Sequence, residues 1–220
     1  MKIVHLPAGS KFYETPRGLF PSVTTILQAT MPRDQRDRLN RWRERNGSSA
    51  ELLRQKAAER GTMIHRLLES RFRGEEMECP PDVASFWKEA RKILTAIGPV
   101  SASEKSLYHP KLQYAGTLDL LADWQGTLTL FDFKTSDREK RSRWLTSARL
   151  QIAAYRGAYE YLYGLEIPRG LILVITPDTV QFFSMEREEL EEYWREWLIR
   201  LEEYRSLDLY HQLFPEITRK

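Results

Sequence analysis

Tyr114-Ala-Gly-Thr-Leu-Asp-Leu-Leu121, Leu130-Phe-Asp-Phe-Lys-Thr-Ser136 and Leu150-Gln-Ile-Ala-Ala-Tyr155 are the three segments on which the reading of this chain turns. The second belongs to Thr127-Leu-Thr-Leu-Phe-Asp-Phe-Lys134, which is rich in β-branched and aromatic residues and too short for a helix, so it reads as a strand. Side chains of a strand alternate between faces, which places Leu128, Leu130, Asp132 and Lys134 on one side. Leu112 to Asp123 reads as a preceding strand, joined through a turn at Asp123-Trp-Gln-Gly126. With a two-residue loop, Asp119 faces Leu130, diagonal to Asp132 on the same side. A three-residue loop with Gly126 as a bulge moves the register by one, and the sequence leaves both open.

Two carboxylates held together repel unless a cation lies between them, and hard oxygen ligands suit magnesium or manganese rather than zinc. Such an ion lowers the pKa of a bound water and neutralises charge on a phosphate. A surface ion pair is the plainer reading of Asp-x-Lys. However, Asp132 lies between Phe131 and Phe133 in a nearly continuous apolar run, and a buried charge needs a partner or a metal. The helix expected from Ser142 to Tyr163 has an apolar stripe through Trp144, Ala148, Tyr155, Ala158 and Leu162, and Gln151 falls on it. A buried amide there needs hydrogen-bond partners, which a strand-borne site would supply. His65 repeats the pattern on a stripe of Ala58, Gly61, Leu68 and Phe72, where Gly61 implies close approach of another backbone. A satisfied core histidine is the competing reading.

Around these segments, residues 3 to 20 read as a hairpin with arms Lys2-Ile-Val and Lys11-Phe-Tyr and a turn at Pro16-Arg-Gly, and Ser22 as the N-cap of a helix to Thr30. Helices are expected over 34–45, 49–73 and 81–97, strands over 101–108, 169–176 and 179–185, and a last helix over 187–206. The expected organisation is one domain, with an N-terminal hairpin and helical extension (1–58), a core (59–185) and a C-terminal helix and tail (186–220).

At 220 residues and 41% hydrophobic content the chain can bury a full core. It has no apolar run long enough for a membrane span and no signal-peptide stretch, so no membrane association and a soluble, cytoplasmic location are expected. The single cysteine, Cys79, excludes an internal disulfide and cannot hold an iron–sulfur cluster. The net charge of +3 is unevenly spread: residues 31–73 carry twelve Lys and Arg against six acids, and 137–149 five against two, while 186–205 carry eight acids against four bases. Basic stretches beside a metal site point to nucleic acid as the polyanion. Aromatics interleave with arginines at Trp42-Arg43 and at Arg143-Trp144; because Trp144 lies on the expected core stripe, Trp42 is the better base-stacking candidate.

In order along the chain, Pro21-Ser-Val-Thr-Thr-Ile-Leu27, Arg60-Gly-Thr-x-x-His65, Gly116-Thr-Leu-Asp119, Asp132-Phe-Lys134 and Gln151-x-x-x-Tyr155 resemble the motifs of the PD-(D/E)XK nuclease superfamily. The likeness is to its RecB-like branch, and within it to the small single-domain exonucleases related to mitochondrial genome maintenance exonuclease. Leu118 stands where the superfamily name has proline; Pro81-Asp82 reads as a helix start and Pro177-Asp178 as a turn. The resemblance implies an α/β fold with a restriction-endonuclease-like αβββαβ core. It further implies magnesium or manganese on His65, Asp119, Asp132 and the Phe133 carbonyl, with Asp119, Asp132, Lys134, Gln151 and Tyr155 as the catalytic set. Nucleic-acid contacts are expected at Ser22, Thr24, Trp42, Arg43, Arg60, Thr135 and Ser136. The implied activity is metal-dependent hydrolysis of single-stranded DNA ends, in repair, recombination or replication. A structure-specific endonuclease, or a binding protein with a vestigial site, is the alternative. No protein partner can be inferred.

Overall fold

The computed structural model describes residues 1–6 and 9–207, so the tail expected beyond Leu207 lies outside the described residues. Three short strands come first: β1 (Lys2–His5), β2 (Lys11–Thr15) and β3 (Gly18–Pro21). The expected hairpin is therefore a three-stranded meander in which Pro16 and Arg17 turn β2 into β3, with Thr15 opposite Gly18. Helix α1 (Val23–Ala29) starts at Ser22, whose hydroxyl accepts from Thr25 N–H at 3.0 Å, a side-chain N-cap. Helices α2 (Arg33–Asn46), α3 (Ser49–Phe72) and α4 (Ala84–Leu94) follow. The expected helix 81–97 is shorter at both ends: Pro81–Val83 form a 3-10 turn, and Ile97 already belongs to a strand.

Five strands make the central sheet: β4 (Ile97–His109), β5 (Tyr114–Trp124), β6 (Thr127–Thr135), β7 (Arg169–Ile175) and β8 (Val180–Met185). They lie in chain order and pair antiparallel except β6 with β7, which are parallel. A parallel pair needs a crossover, and α5 (Thr146–Tyr163) provides it. It ends at Gly164, which at φ 65° returns its N–H to Glu160 O. Helix α6 (Arg187–Arg205) closes the described chain. The molecule is an α/β structure with a mixed sheet flanked by helices. None of its described helices is long and apolar enough to cross a membrane.

Each sheet face has its own core. Leu130, Ile172 and Val174 pack with Ile152, Ala154 and Trp197 on the side of α5 and α6. Phe131, Phe133, Leu171 and Leu173 pack with Ile64, Leu67 and Phe86 on the side of α3 and α4. Burial on both faces is why β6 is apolar at nearly every position.

The β5–β6 register corrects the expected one. The loop is Gln125-Gly126, with φ of 55° and 78°, and Trp124 pairs with Thr127. Positive φ at both loop residues is the signature of a type I′ hairpin. Leu121, not Asp119, therefore lies opposite Leu130. The shift is two residues, which by itself would leave the faces unchanged, but pairing stops one residue before Asp119, and Leu118 and Leu121 pack on the same side, so alternation breaks at Asp119.

Candidate active site

The last β5–β6 pair is Leu120 with Phe131. Beyond it β5 stays with β4 and β6 stays with β7, so the sheet forks, and Asp119 and Asp132 are the first residues past the fork on either side. The Asp119 carboxylate fills the gap, Oδ2 accepting from Phe133 N–H at 2.7 Å in place of a strand carbonyl. The opening lets groups from both faces meet. From α3, His65 Nε2 lies 3.0 Å from Phe133 O, while its Nδ1 lies 3.4 Å from Glu104 Oε1 and 3.7 Å from Asp119 Oδ1. From the α5 side, Lys134 Nζ donates to Asp132 Oδ1 at 2.7 Å and to Gln151 Oε1 at 3.2 Å. The amide on the helix stripe thus has its partner in Lys134.

Electrostatics at the fork are those of a buried, crowded cluster. Asp132 is only 2% exposed, and burial raises its carboxyl pKa against the opposing pull of Lys134. Burial also works against the Lys134 ammonium, but Asp132 and Asp119 outweigh it and raise its pKa. For His65, burial disfavours the charge, yet Asp119 and Glu104 carry the imidazole up to about 9. Nε2 faces an acceptor, Phe133 O, and Nδ1 faces the carboxylates of Glu104 and Asp119.

One polar atom here is unanswered. Asp132 Oδ2 is buried and has no hydrogen-bond partner among the described residues, although its sister oxygen holds Lys134. An orphaned buried carboxylate oxygen costs free energy unless something cationic meets it. His65, Glu104 and Asp119 also present ligand atoms within 4.8 Å of one another. Imidazole nitrogen and hard carboxylate oxygens so placed fit a divalent cation, and the orphan Asp132 oxygen adds an unsatisfied acceptor at the same fork.

Gly116 and Tyr155, separate in the sequence reading, form a single contact. A Cβ at Gly116 would lie 2.4 Å from Tyr155 Cε1, so the buried ring rests directly on the glycine backbone. Burial pushes the Tyr155 phenol well above its ordinary range, so it stays neutral. Gly61 is not met by backbone as expected: its neighbour is the Thr135 hydroxyl, at an ordinary 3.6 Å from where a Cβ would sit.

The nucleic-acid candidates are scattered. Ser22 is buried with its hydroxyl engaged by Thr24 and Thr25, while Thr24 itself is exposed. Arg60 lies over the Phe86 ring and pairs with Asp137 at 2.6 Å. Ser136 donates to Arg138 O, and Thr135 ends β6 beside Gly61. Trp42 is half-buried and Arg43 exposed on α2; among the described residues no side-chain hydrogen bond or ring contact joins either to the fork. Trp144 corrects the reading outright. It lies on a 3-10 turn before α5 and is 53% exposed, not part of the core stripe. Of two further neighbours, Glu104 is offered by the sequence only as a carboxylate that, like Glu69, could help a second ion, and Lys11 escaped it. Glu104 sits at φ 44° between the Ser103–Leu120 and Lys105–Leu118 pairs, and Lys11 shares with His65, Arg66, Glu69 and Glu104 a cavity of about 450 Å³. Glu104 carried a hint, a lone carboxylate in a strand; Lys11 carried none.

Fold and site together define an α/β protein with an acid, acid, lysine and histidine cluster at a sheet fork. The chain is 36% identical over 218 residues to a Mus musculus protein named "Mitochondrial genome maintenance exonuclease 1", covering 91% of this chain and 64% of that one. Proteins of the same name from Xenopus tropicalis and Homo sapiens are 34% and 32% identical over 205 and 202 residues, each covering 86% of this chain. The chain spans 58–64% of the length of these three relatives. No protein-family model matches it. Among solved structures, one described as "Crystal structure of SSO0001" aligns over 81% of this chain and 74% of that one, at 14% identity and a TM-score of 0.41. That likeness is too slight to argue from.

Proposed function

We propose that this chain is a divalent-metal-dependent DNA exonuclease of the PD-(D/E)XK type, RecB-like branch, acting on single-stranded ends with a restriction-endonuclease-like core. The observation that carries the reading is the orphan Asp132 Oδ2, buried at the fork beside Asp119, His65 and a fixed lysine. The names of the three relatives support an exonuclease concerned with genome maintenance.

His65, Asp119, Asp132 and the Phe133 carbonyl would hold magnesium or manganese, with Glu104 in reach of His65. Bound there, the ion supplies Lewis acidity, lowering the pKa of a water and neutralising charge on the scissile phosphate. Lys134 works alongside: held between Asp132 Oδ1 and Gln151 Oε1, its ammonium is preorganised to orient the attacking water and to offset charge on the non-bridging oxygens. The water oxygen bonds to phosphorus as the bond from phosphorus to the leaving deoxyribose oxygen breaks, the water giving up a proton to solvent and the leaving oxygen taking one up. Gln151 keeps Lys134 in place, and Tyr155, a neutral phenol seated on Gly116, fixes the depth at which α5 meets β5.

The test uses single-stranded DNA labelled at its 5′ or 3′ end, its duplex, and a circular single strand, each with magnesium, manganese or EDTA. Metal-dependent loss of the linear strand with the circle intact is the expected result, and Lys134→Ala should keep the fold by circular dichroism while losing cleavage. Cutting of the circle would make the protein an endonuclease. Full activity of Lys134→Ala would refute the mechanism.

A further inference from the structure

The segment that joins β6 to α5 carries chemistry the fork does not use. It reads Ser136-Asp-Arg-Glu-Lys-Arg-Ser-Arg-Trp144, and Trp144 stands on its final turn with half of its surface in water. An indole left in water on an otherwise polar segment marks a contact surface when its position is also fixed and complementary to a ligand. Both conditions are met. Arg141 and Arg143 lie with their guanidinium carbons 5.7 and 5.9 Å from the Trp144 ring, close enough for cation–π attraction.

The turn is held from below by Arg149, which is 6% exposed. Its guanidinium donates to Ser142 O and Ser142 Oγ, both at 2.7 Å, and to Glu189 Oε1 at 2.9 Å. The segment ahead of it is tied down as well: Lys140 N–H donates to Gln181 Oε1, Gln181 Nε2 donates back to Lys140 O, and Ser136 N–H donates to Ile175 O. Arg60 occupies Asp137, which removes one of the two acids from the segment's charge. A rigid aromatic flanked by cations loses little freedom when a ligand settles on it.

We infer that Trp144 is a stacking platform for an unpaired nucleobase of the strand entering the fork, with Arg141 and Arg143 holding the phosphates on either side. An aromatic between two cations matches a base between two phosphates, and it accepts any base because every base has a π face. Its place is apt: Thr146 begins the helix that bears Gln151, and at about 1.5 Å of rise per residue the turn lies roughly 10 Å along that helix from the Lys134–Gln151 pair. A duplex buries its base faces, so the platform favours single strands. The inference rests on the nuclease reading above and adds to it the residue that selects an unpaired base.

Affinity measured in EDTA separates the two. Fluorescence anisotropy would compare a labelled oligothymidylate with an abasic chain of equal length. Trp144→Ala should bind the oligothymidylate about tenfold more weakly, Trp144→Phe should stay within about threefold of the parent, and the abasic chain should not distinguish them. Because Trp144 is exposed, the thermal midpoint of Trp144→Ala should be unchanged. Equal affinity of parent and Trp144→Ala for oligothymidylate, or equal loss on both chains, overturns the platform. If the parent still degrades the linear strand with manganese, only the platform falls. If the parent neither binds nor cuts, the nuclease reading falls with it.

Discussion

At the scale of single residues, two contacts decide how the fork is built. Tyr155 needs hydrogen in place of a side chain at position 116, since a Cβ there would sit 2.4 Å from its ring. Gly116→Ala should therefore destabilise by about 1–3 kcal/mol, as overpacked core sites do. Urea unfolding would read this as a lower midpoint, and the cost should vanish in a Tyr155→Ala background, because contacting residues are not additive. An unchanged midpoint would mean that the ring moves aside freely. The second contact is the one Asp132 Oδ2 lacks. A cation bound there stabilises the folded state by mass action, about 2.7 kcal/mol at a hundredfold excess over Kd. That corresponds to roughly 5–10 °C in a chain of this size. Manganese should raise the melting temperature of the parent, EDTA should abolish the rise, and Asp132→Asn should show almost none. A full shift in Asp132→Asn would place the ion elsewhere.

Among the elements, β4, α5 and α6 meet at His109, a buried imidazole packed at a tilt against Tyr161 and Tyr114, with ring centroids 4.4 and 5.5 Å away. Its Nδ1 accepts from Leu112 N–H at 3.1 Å, which a protonated ring cannot do. Burial pushes its pKa down to about 4, whereas the unfolded chain holds it near 6.5. The unfolded state therefore binds the extra proton between those values, and stability rises with pH there. His109 contributes in full above pH 6.5 and loses its contribution as pH falls toward 4. The melting temperature should drop between pH 7.5 and 5 more in the parent than in His109→Asn, which keeps an acceptor without titrating. Parallel pH profiles for the two proteins would dismiss this account. The same interface takes up Arg149 and Arg156 from α5, paired with Glu189 and Glu191 of α6. Part of the acidity of α6 thus answers buried arginines.

For the molecule as a whole, the field presented to a polyanion differs from a count of charges. Arg149 is buried and Arg60 is paired, so the segment of 137–149 offers Arg138, Lys140, Arg141 and Arg143. Replacing Arg141 or Arg143 by Gln should reduce the salt slope of single-strand affinity by about 0.7 each, the value per phosphate neutralised on a single strand. Titrations over a range of salt would measure it, and an unaltered slope would show that the phosphates pass elsewhere. The sequence by itself determined the strand that bears Asp132 and Lys134, the crossover helix with Gln151 and the mixed sheet between helices, because periodicity and residue chemistry are local. It brought Asp119 and Asp132 to neighbouring positions despite a register wrong by two, although Asp119 turns to the Phe133 N–H and His65 where the strands part. Only the tertiary structure decided the fork, the entry of Glu104 and Lys11 beside His65, and the exposure of Trp144. These depend on where strands part and which turn a distant arginine pins, and no spacing along the chain records either.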